Sequence, residues 1–459
     1  MKHKKQSIRW NTMGILAVGF LSVILVGAVL LWLPVCNQKP ISFLDALFTA
    51  VTSVCVTGLV TVTPATQFTL VGKIILLILI QIGGLGVIAC ASAFFLILRR
   101  KITVKERVVL QETYNMNSIG GMVGMVKRIL VGTLCVEGAG AVLYAFQFIP
   151  EYGPVKGAGY AVFHAVSAFC NAGIDILGDA SLAKYVTSPM INITTMLLII
   201  VGGIGFTVWY DVIENGKKIY KHEVPRRWWF TRLSLHSKLA IVTTVILLGA
   251  GTVLIFLLEY QNPATIGNLN LGQKLLASCF QSVTTRTAGF FTVPQSGLRE
   301  ETRFISMILM FIGGSPGGTA GGVKTTTITM LVLSCMTLVR GGRDTECFGR
   351  KISQGNFRMG FAIVMLAFSI FLTGTTVITI IEPDSVPFLN IMYETVSAIG
   401  TVGLTADLTP ALSRGSQAVI MVMMYIGRLG PMTLALLFAG KPNPRDKIRE
   451  LPTERIMVG

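Results

Sequence analysis

The chain has 459 residues, 52% of them hydrophobic and only 13% charged, with a mean hydropathy of +0.68. Water-soluble domains carry about 25% charged residues, so the polar surface that a soluble chain of this length needs is missing. A soluble globular protein, a disordered chain and a nucleic-acid binder are excluded, and an all-α polytopic membrane protein is left.

The net charge of +17 is unevenly spread. Of 39 Lys and Arg, 28 lie in five stretches, 1–10, 99–128, 217–238, 340–358 and 441–455. The segments that alternate with them hold Lys39, Lys73, Lys156, Lys184, Lys274, Arg299, Arg303 and Arg414. Basic residues gathered on one side of successive apolar spans are the positive-inside pattern, so both termini are expected in the cytoplasm and the chain in the cell membrane. The apolar run Met13–Leu33 is long enough for a full span, too long for a signal-peptide core. The 8 Cys and 4 His are scattered, and neither a disulfide framework nor a metal site is expected.

In chain order the hydropathy pattern repeats four times. Long apolar helices are expected at about 13–34, 126–149, 236–258 and 358–381. Each is followed by a shorter segment, 42–54, 158–169, 271–284 and 387–399, too short to cross a ~30 Å hydrocarbon core. A glycine-bearing stretch comes next, then a second long span: 70–98, 189–213, 302–340 and 416–439. The units run 1–98, 99–213, 214–340 and 341–459, eight spans in all. Two crossings per unit give all four the same orientation, so they can surround one axis with pseudo-fourfold symmetry, unlike inverted repeats. Ser42, with Asp45 three residues on, begins the first short helix as a capping box does. The partial negative charge of its C-terminal end then faces Gly58.

Two motifs recur in register. The first is Thr52-Ser-Val-Cys55-Val56-Thr57-Gly58, Ser167-Ala-Phe-Cys170-Asn171-Ala172-Gly173, Thr284-Thr-Arg286-Thr287-Ala288-Gly289 and Ser397-Ala-Ile-Gly400-Thr401-Val402-Gly403. The glycines are 115, 116 and 114 residues apart. The second is Ile82-Gly-Gly84-Leu-Gly86, Val201-Gly-Gly203-Ile-Gly205, Ile312-Gly313-Gly314-Ser315-Pro316 and Ile426-Gly-Arg428-Leu-Gly430. Irregular backbone at membrane depth persists only where it is buried or lines a watery path. Four such stretches around an axis can offer carbonyl rings that replace a cation's hydration shell, with glycine admitting positive φ or close approach. Asp175 and Asp407, just beyond their glycines, would draw cations to an outer mouth. The paired glycines 83–84 and 202–203 read first as close helix packing.

These segments resemble the four filter segments of the Trk/Ktr/HKT superfamily of potassium transporters, and the compact length resembles the Ktr membrane subunit. The resemblance covers nearly the whole chain. It implies a K+ filter made of Cys55, Val56, Thr57, Gly58, Cys170, Asn171, Ala172, Gly173, Arg286, Thr287, Ala288, Gly289, Gly400, Thr401, Val402 and Gly403. Glycine at 58, where sodium-preferring plant relatives have serine, implies potassium selectivity. It also implies a homodimer on a cytoplasmic octameric ring that binds ATP, ADP or NAD(H), and a sodium requirement in many members. The chain itself has no recognisable nucleotide-binding domain, and no cofactor is expected. The basic connectors 99–128 and 217–238 are candidates to dock such a ring, or face anionic lipid. A Na+-permeable or H+-coupled transporter of the same superfamily is the alternative.

The second span of the third unit is interrupted over 313–327, by Gly313, Gly314, Ser315, Pro316, Gly317, Gly318, Thr319, Ala320, Gly321, Gly322, Val323, Lys324, Thr325, Thr326 and Thr327. Six Gly and a Pro do not hold a regular helix. A phosphate loop is disfavoured because Val323 breaks the required G-K-[ST]; a kinked helix or a flexible loop below the filter remains. The superfamily carries a gate there. Arg428 replaces the glycine of the other units, and a charge in a span is functional by default: it raises the barrier to K+ or latches the loop through its carbonyls, with an ion pair to Glu394 as the alternative. Arg286 is expected to complement the helix dipole. His164 and Glu137 look isolated, which argues against a membrane enzyme.

Overall fold

A computed structural model describes residues 12–87, 90, 122–223, 225–430 and 433. The basic stretches 1–10 and 441–455 and most of 99–128 lie outside the described residues, and with them the termini and the first proposed docking connector.

Long uninterrupted apolar runs become long helices: α1 (Thr12–Trp32), α4 (Met122–Tyr152), α8 (Leu235–Glu259) and α12 (Gln354–Ile381). At about 1.5 Å per residue each can cross a bilayer core. Among the described residues, four helices meet the length and hydropathy needed for a span, five if one bent pair counts as a single span. Their outer faces expose large apolar side chains, Leu25, Val26, Phe146, Val245, Phe361 and Ile380 among them, a surface that suits lipid and not water. The chain is a membrane protein.

Each long helix is followed by a short, largely buried one packed upon it: α2 (Phe43–Cys55), α5 (Pro154–Phe169), α9 (Leu271–Thr284) and α13 (Phe388–Gly400). Caps fix where they begin. The Ser42 Oγ accepts from the Asp45 amide at 3.2 Å, and Asn270 with Gln273 forms a capping box. Proline opens α5 at Pro154 and precedes α13 at Pro387, positions where a missing N–H costs nothing.

The second helices are α3 (Leu70–Leu85), α6 (Pro189–Gly203), α10 (Glu300–Phe311) and α14 (Arg414–Leu429). None is the continuous span expected at 70–98, 189–213 or 416–439. The chain breaks at Gly86 (φ +89°), Gly205 (φ +99°) and Gly430 (φ +86°), conformations that a helix cannot contain. After Gly205 it continues as α7 (Phe206–Tyr220), bent 97° from α6. After α10 the glycine-rich loop intervenes before α11 (Thr325–Val339), so Thr325, Thr326 and Thr327, expected in the loop, form the first turn of that helix instead. Interruption was expected of the third segment only; the final glycine of the second motif turns the chain in the other three. The described residues also depart from an all-α chain at one small hairpin, Glu346–Cys347 paired with Arg350–Lys351, where Phe348 and Gly349 take the positive φ of a tight turn.

Packing between segments runs in a closed cycle. Helix α3 lies on α5, α6 on α9, α10 on α13, and α14 returns to α2. A bidentate ion pair marks the closure: Arg414 donates to both carboxylate oxygens of Asp45, at 2.6 and 3.1 Å, across 369 residues of chain. Within a segment, glycine lets the second helix press on its own short helix, and between the first two segments a Cβ on Gly84 would lie 2.4 Å from the Cys170 sulfur. A Cβ on Gly83 would lie 2.3 Å from the Val54 carbonyl oxygen, on Gly202 2.0 Å from that of Phe169, and on Gly427 2.2 Å from that of Ile399. In the first, second and fourth segments the second helix therefore touches the C-terminal end of a short helix with bare backbone.

Gly202→Ala should cost roughly 1–3 kcal/mol through overpacking, read as a lower melting temperature of the detergent-solubilised protein. Gly138→Ala, on α4 with nothing within 4 Å of the added methyl, should leave it unchanged or higher.

Candidate functional site

The short helices end close to one another, and after each the chain makes the same turn. Val56, Asn171, Thr287 and Thr401 sit at φ of 55°, 60°, 64° and 50°, and two residues on Gly58, Gly173, Gly289 and Gly403 sit at 103°, 64°, 79° and 92°. For β-branched residues the left-handed region is unusual and costs on the order of 1–3 kcal/mol at each position. Positive φ at alternate residues undoes the strand habit of sending successive carbonyls to opposite sides, so that peptide oxygens can share one side.

The four glycines meet. A Cβ on Gly58 would stand 2.7 Å from the Ala172 carbonyl oxygen, on Gly173 2.7 Å from that of Ala288, on Gly289 2.6 Å from that of Val402, and on Gly403 2.0 Å from that of Thr57. Each glycine thus faces the residue before the next glycine, and the fourth faces the first. No larger residue fits any of these positions without moving backbone.

Hydroxyls at the first position of the motif fasten the turns. Thr52 and Ser397 accept from the Gly58 and Gly403 amides at 2.9 and 3.0 Å, while Ser167 and Thr284 donate to the Ile174 and Phe290 carbonyls at 2.6 and 2.5 Å. This anchoring role was missed from sequence, although a hydroxyl heading all four motifs was its visible signal. Inside the ring the chemistry is neutral. Thr57, Thr287 and Thr401 bury hydroxyls, and Asn171 its amide nitrogen, without a protein hydrogen bond. Cys55 and Cys170 are buried behind the turns, and Gly400 packs on the Met310 carbonyl. Arg286, included among the ring residues by sequence, turns away: its guanidinium donates to the carbonyls of Thr244 at 3.4 Å and Gly313 at 3.1 Å.

The interrupted segment is a tied loop, not a loose one. Its neck closes through Gly313 N–H to the Val323 carbonyl (2.9 Å) and Val323 N–H to the Phe311 carbonyl (3.2 Å). Ser315 and Thr319 donate their amides to Gly203 and Gly202, and the Gly317 carbonyl accepts from the amide of Phe206. Lys324 is folded back onto the Ala320 carbonyl at 2.7 Å. The Thr319 hydroxyl bonds the Phe169 carbonyl and the Asn171 side chain, while Gly321 lies so close to Thr401 that a Cβ would be 1.9 Å from its hydroxyl. The loop therefore lies directly against ring residues of the second and fourth segments, which face each other across the cycle. Arg428 donates to the carbonyls of Thr319, Gly83 and Gly84, joining the loop to the first segment. Glu394 is engaged elsewhere, accepting from Ala406 N–H at 3.1 Å and the Thr409 hydroxyl at 2.6 Å.

Glu137 is not isolated: it is buried in α4 with Gln81 Nε2 at 3.4 Å and the Cys170 thiol at 3.9 Å. His164 is enclosed by Tyr144, Phe148, Phe163 and Phe290 with Nδ1 on the Tyr160 carbonyl. No cluster of metal-ligating side chains occurs among the described residues.

The TrkH family model, described as cation transport protein, matches residues 2–450. The chain belongs to that family. It is similar to the Ktr system potassium uptake protein B of Bacillus subtilis (strain 168), 41% identical over 432 residues and 94% of each chain. It is also similar to the potassium/sodium uptake protein NtpJ of Enterococcus hirae, 37% identical over 460 residues and 99% of each. Its fold matches the crystal structure of the potassium transporter TrkH from Vibrio parahaemolyticus, with a TM-score of 0.73 at 18% identity, covering 96% of this chain and 87% of that one.

Beyond the ring, away from the loop, Asp175 accepts from the amides of Leu177 (3.2 Å) and Gly178 (3.5 Å). Burial pushes its carboxyl up to about 6 against the pull of those amides. Asp407 is exposed and accepts from the Ser296 hydroxyl at 2.6 Å. A raised carboxyl loses its charge as pH falls through about 6, so cation flux measured while that face is acidified across this window should decline. Asp175→Asn should be lower at neutral pH and flat across the window; equal pH profiles would remove Asp175 from the entrance.

Proposed function

We propose that this protein takes up potassium through a single pore whose filter is the ring of turns at Cys55–Gly58, Cys170–Gly173, Arg286–Gly289 and Gly400–Gly403. The observation that carries the proposal is the closed order of the ring, in which each glycine abuts the carbonyl preceding the next. Main-chain oxygens with neutral hydroxyls beside them suit a dehydrated monovalent cation, and the short helices aim their negative ends at it. The absence of carboxylates among the ring residues argues against a divalent ion, whose charge calls for anionic ligands. Glycine at 58 and a 41% identical relative named for potassium uptake support K+ as the cargo.

In this reading four parallel repeats, 1–98, 99–213, 214–340 and 341–459, supply eight crossings of the cell membrane with both termini in the cytoplasm. Loop 313–324 is the gate below the filter, latched by Arg428 and tethered by Arg286. The Ktr system name of the Bacillus subtilis relative supports a regulatory partner subunit; the homodimer and the cytoplasmic octameric ring binding ATP, ADP or NAD(H) belong to this reading through the resemblance alone. A Na+-dependent or Na+-permeable mode is the second reading, supported by the potassium/sodium uptake relative.

Proteoliposomes loaded for K+ or Na+ flux test the filter. Wild type should prefer K+, and Gly58→Ser should lower that preference several-fold, because its Cβ at φ +103° would press on the Ala172 carbonyl. An unchanged ratio would sink the filter assignment.

The latch is tested separately. Arg428→Gln removes charge-assisted bonds of about 1.5–3 kcal/mol each and should raise K+ flux on the order of tenfold if the loop obstructs the pore. Lost flux in a folded protein would instead make Arg428 structural.

A further inference from the structure

On the loop side of the ring, α7 runs from the 97° bend against the first turns of α4, and the two helices enclose a cavity of about 440 Å³. Its wall is apolar and aromatic, formed by Met125, Ile129, Phe206, Trp209 and Ile213. Gly132 gives Trp209 its place, since a Cβ there would touch the indole at 3.4 Å. The rim is basic. Lys127, Arg128 and Lys217 are exposed at the opening, and the lining carboxylate, Glu214, is paired with Lys218 at 3.0 Å. Arg128 is held at the rim by Tyr210, donating to its hydroxyl at 2.9 Å and lying 5.2 Å over its ring.

An apolar chamber at the edge of a membrane, open under three cations, fits one chemistry: an amphiphile with an anionic head. We propose that the cavity binds an anionic phospholipid, its phosphate between Lys127, Arg128 and Lys217 and the first part of its acyl chains against Trp209 and Phe206. Basic pockets between membrane helices on the positive-inside face hold such headgroups, and indole and phenol side chains favour that depth. A zwitterionic lipid would leave the rim charges uncompensated. A free phosphate would leave the apolar wall unused.

The site also reaches the loop. Phe206, part of the wall, donates its amide to the Gly317 carbonyl at 3.0 Å, and a Cβ on neighbouring Gly205 would be 2.5 Å from the Pro316 carbonyl. A lipid lodged between α4 and α7 therefore fixes the helix end on which the loop is hung. Binding stands independently of the transport reading, whereas the effect on flux rests on it.

The test uses the full-length protein in phosphatidylcholine nanodiscs and liposomes, with and without phosphatidylglycerol. Native mass spectrometry should find phosphatidylglycerol retained several-fold over phosphatidylcholine, and the combined K127A, R128A and K217A substitutions should abolish the preference. Gly132→Leu, which fills the cavity and keeps the charges, should abolish it too and guards against a misfolded triple variant. K+ flux of the wild type should depend on phosphatidylglycerol and that of both variants should not, with the K+/Na+ ratio unaltered. Equal retention of the two lipids by wild type, or undiminished phosphatidylglycerol on both variants, overturns the site. So does displacement of the lipid by inorganic phosphate, or cross-linking of the cavity wall to residues 91–121 of the chain itself. Lipid-independent flux with retained binding overturns only the coupling to the loop, and absent K+ flux with retained binding overturns only the transport reading.

Discussion

A peptide group inside a bilayer has no water to turn to, and every departure from a helix there must be bonded within the protein. The centre of this molecule is organised around that constraint. Four stretches leave helical geometry at its buried centre, and each is tied by a hydroxyl from its own short helix: Thr52, Ser167, Thr284 or Ser397. With the outward-facing backbone groups bonded in this way, other peptide oxygens remain at the centre. The left-handed conformation of Val56, Thr287 and Thr401 is held against its own cost by these anchors and by packing on all sides.

The same constraint explains the second motif. Close contact between backbones needs residues without side chains, and Gly83, Gly202 and Gly427 bring α3, α6 and α14 onto the carbonyl ends of short helices. One turn later Gly86, Gly205 and Gly430 redirect the chain. In the third segment the equivalent place is taken by the loop, and the carbonyls it meets, Gly202 and Gly203, are those freed where α6 ends. A bend in the second segment thus provides the bonding partners for an interruption in the third. The two irregularities satisfy one another, and moving the loop requires other partners for both.

Two arginines serve this arrangement. Guanidinium groups carry several donors in a fixed plane and suit clusters of carbonyls. Arg286 grips the neck of the loop at Gly313, while Arg428 reaches from the fourth segment to Thr319 of the loop and to Gly83 and Gly84 of the first. The loop is thereby held from the first, second and fourth segments at once, close under Asn171 and Thr401.

Much of this was legible in the sequence because it depends on local chemistry. Hydropathy marked the membrane, segment length separated the four long helices from the short ones that follow them, and glycines recurring in register marked the turns that need positive φ or close approach. The loop announced itself through six glycines and a proline that no helix holds. What composition and spacing could not supply was the identity of neighbours. That Gly58 faces Ala172, that Arg428 serves carbonyls and not Glu394, that Glu137 has Gln81 and Cys170 beside it, and that Gly86, Gly205 and Gly430 are breaks rather than interior positions of continuous spans were decided by tertiary structure. Local residue types set which backbone conformations and solvents a segment tolerates; contacts across a hundred or more residues are fixed only when helices settle against one another and each buried polar group takes the partner that packing brings within reach.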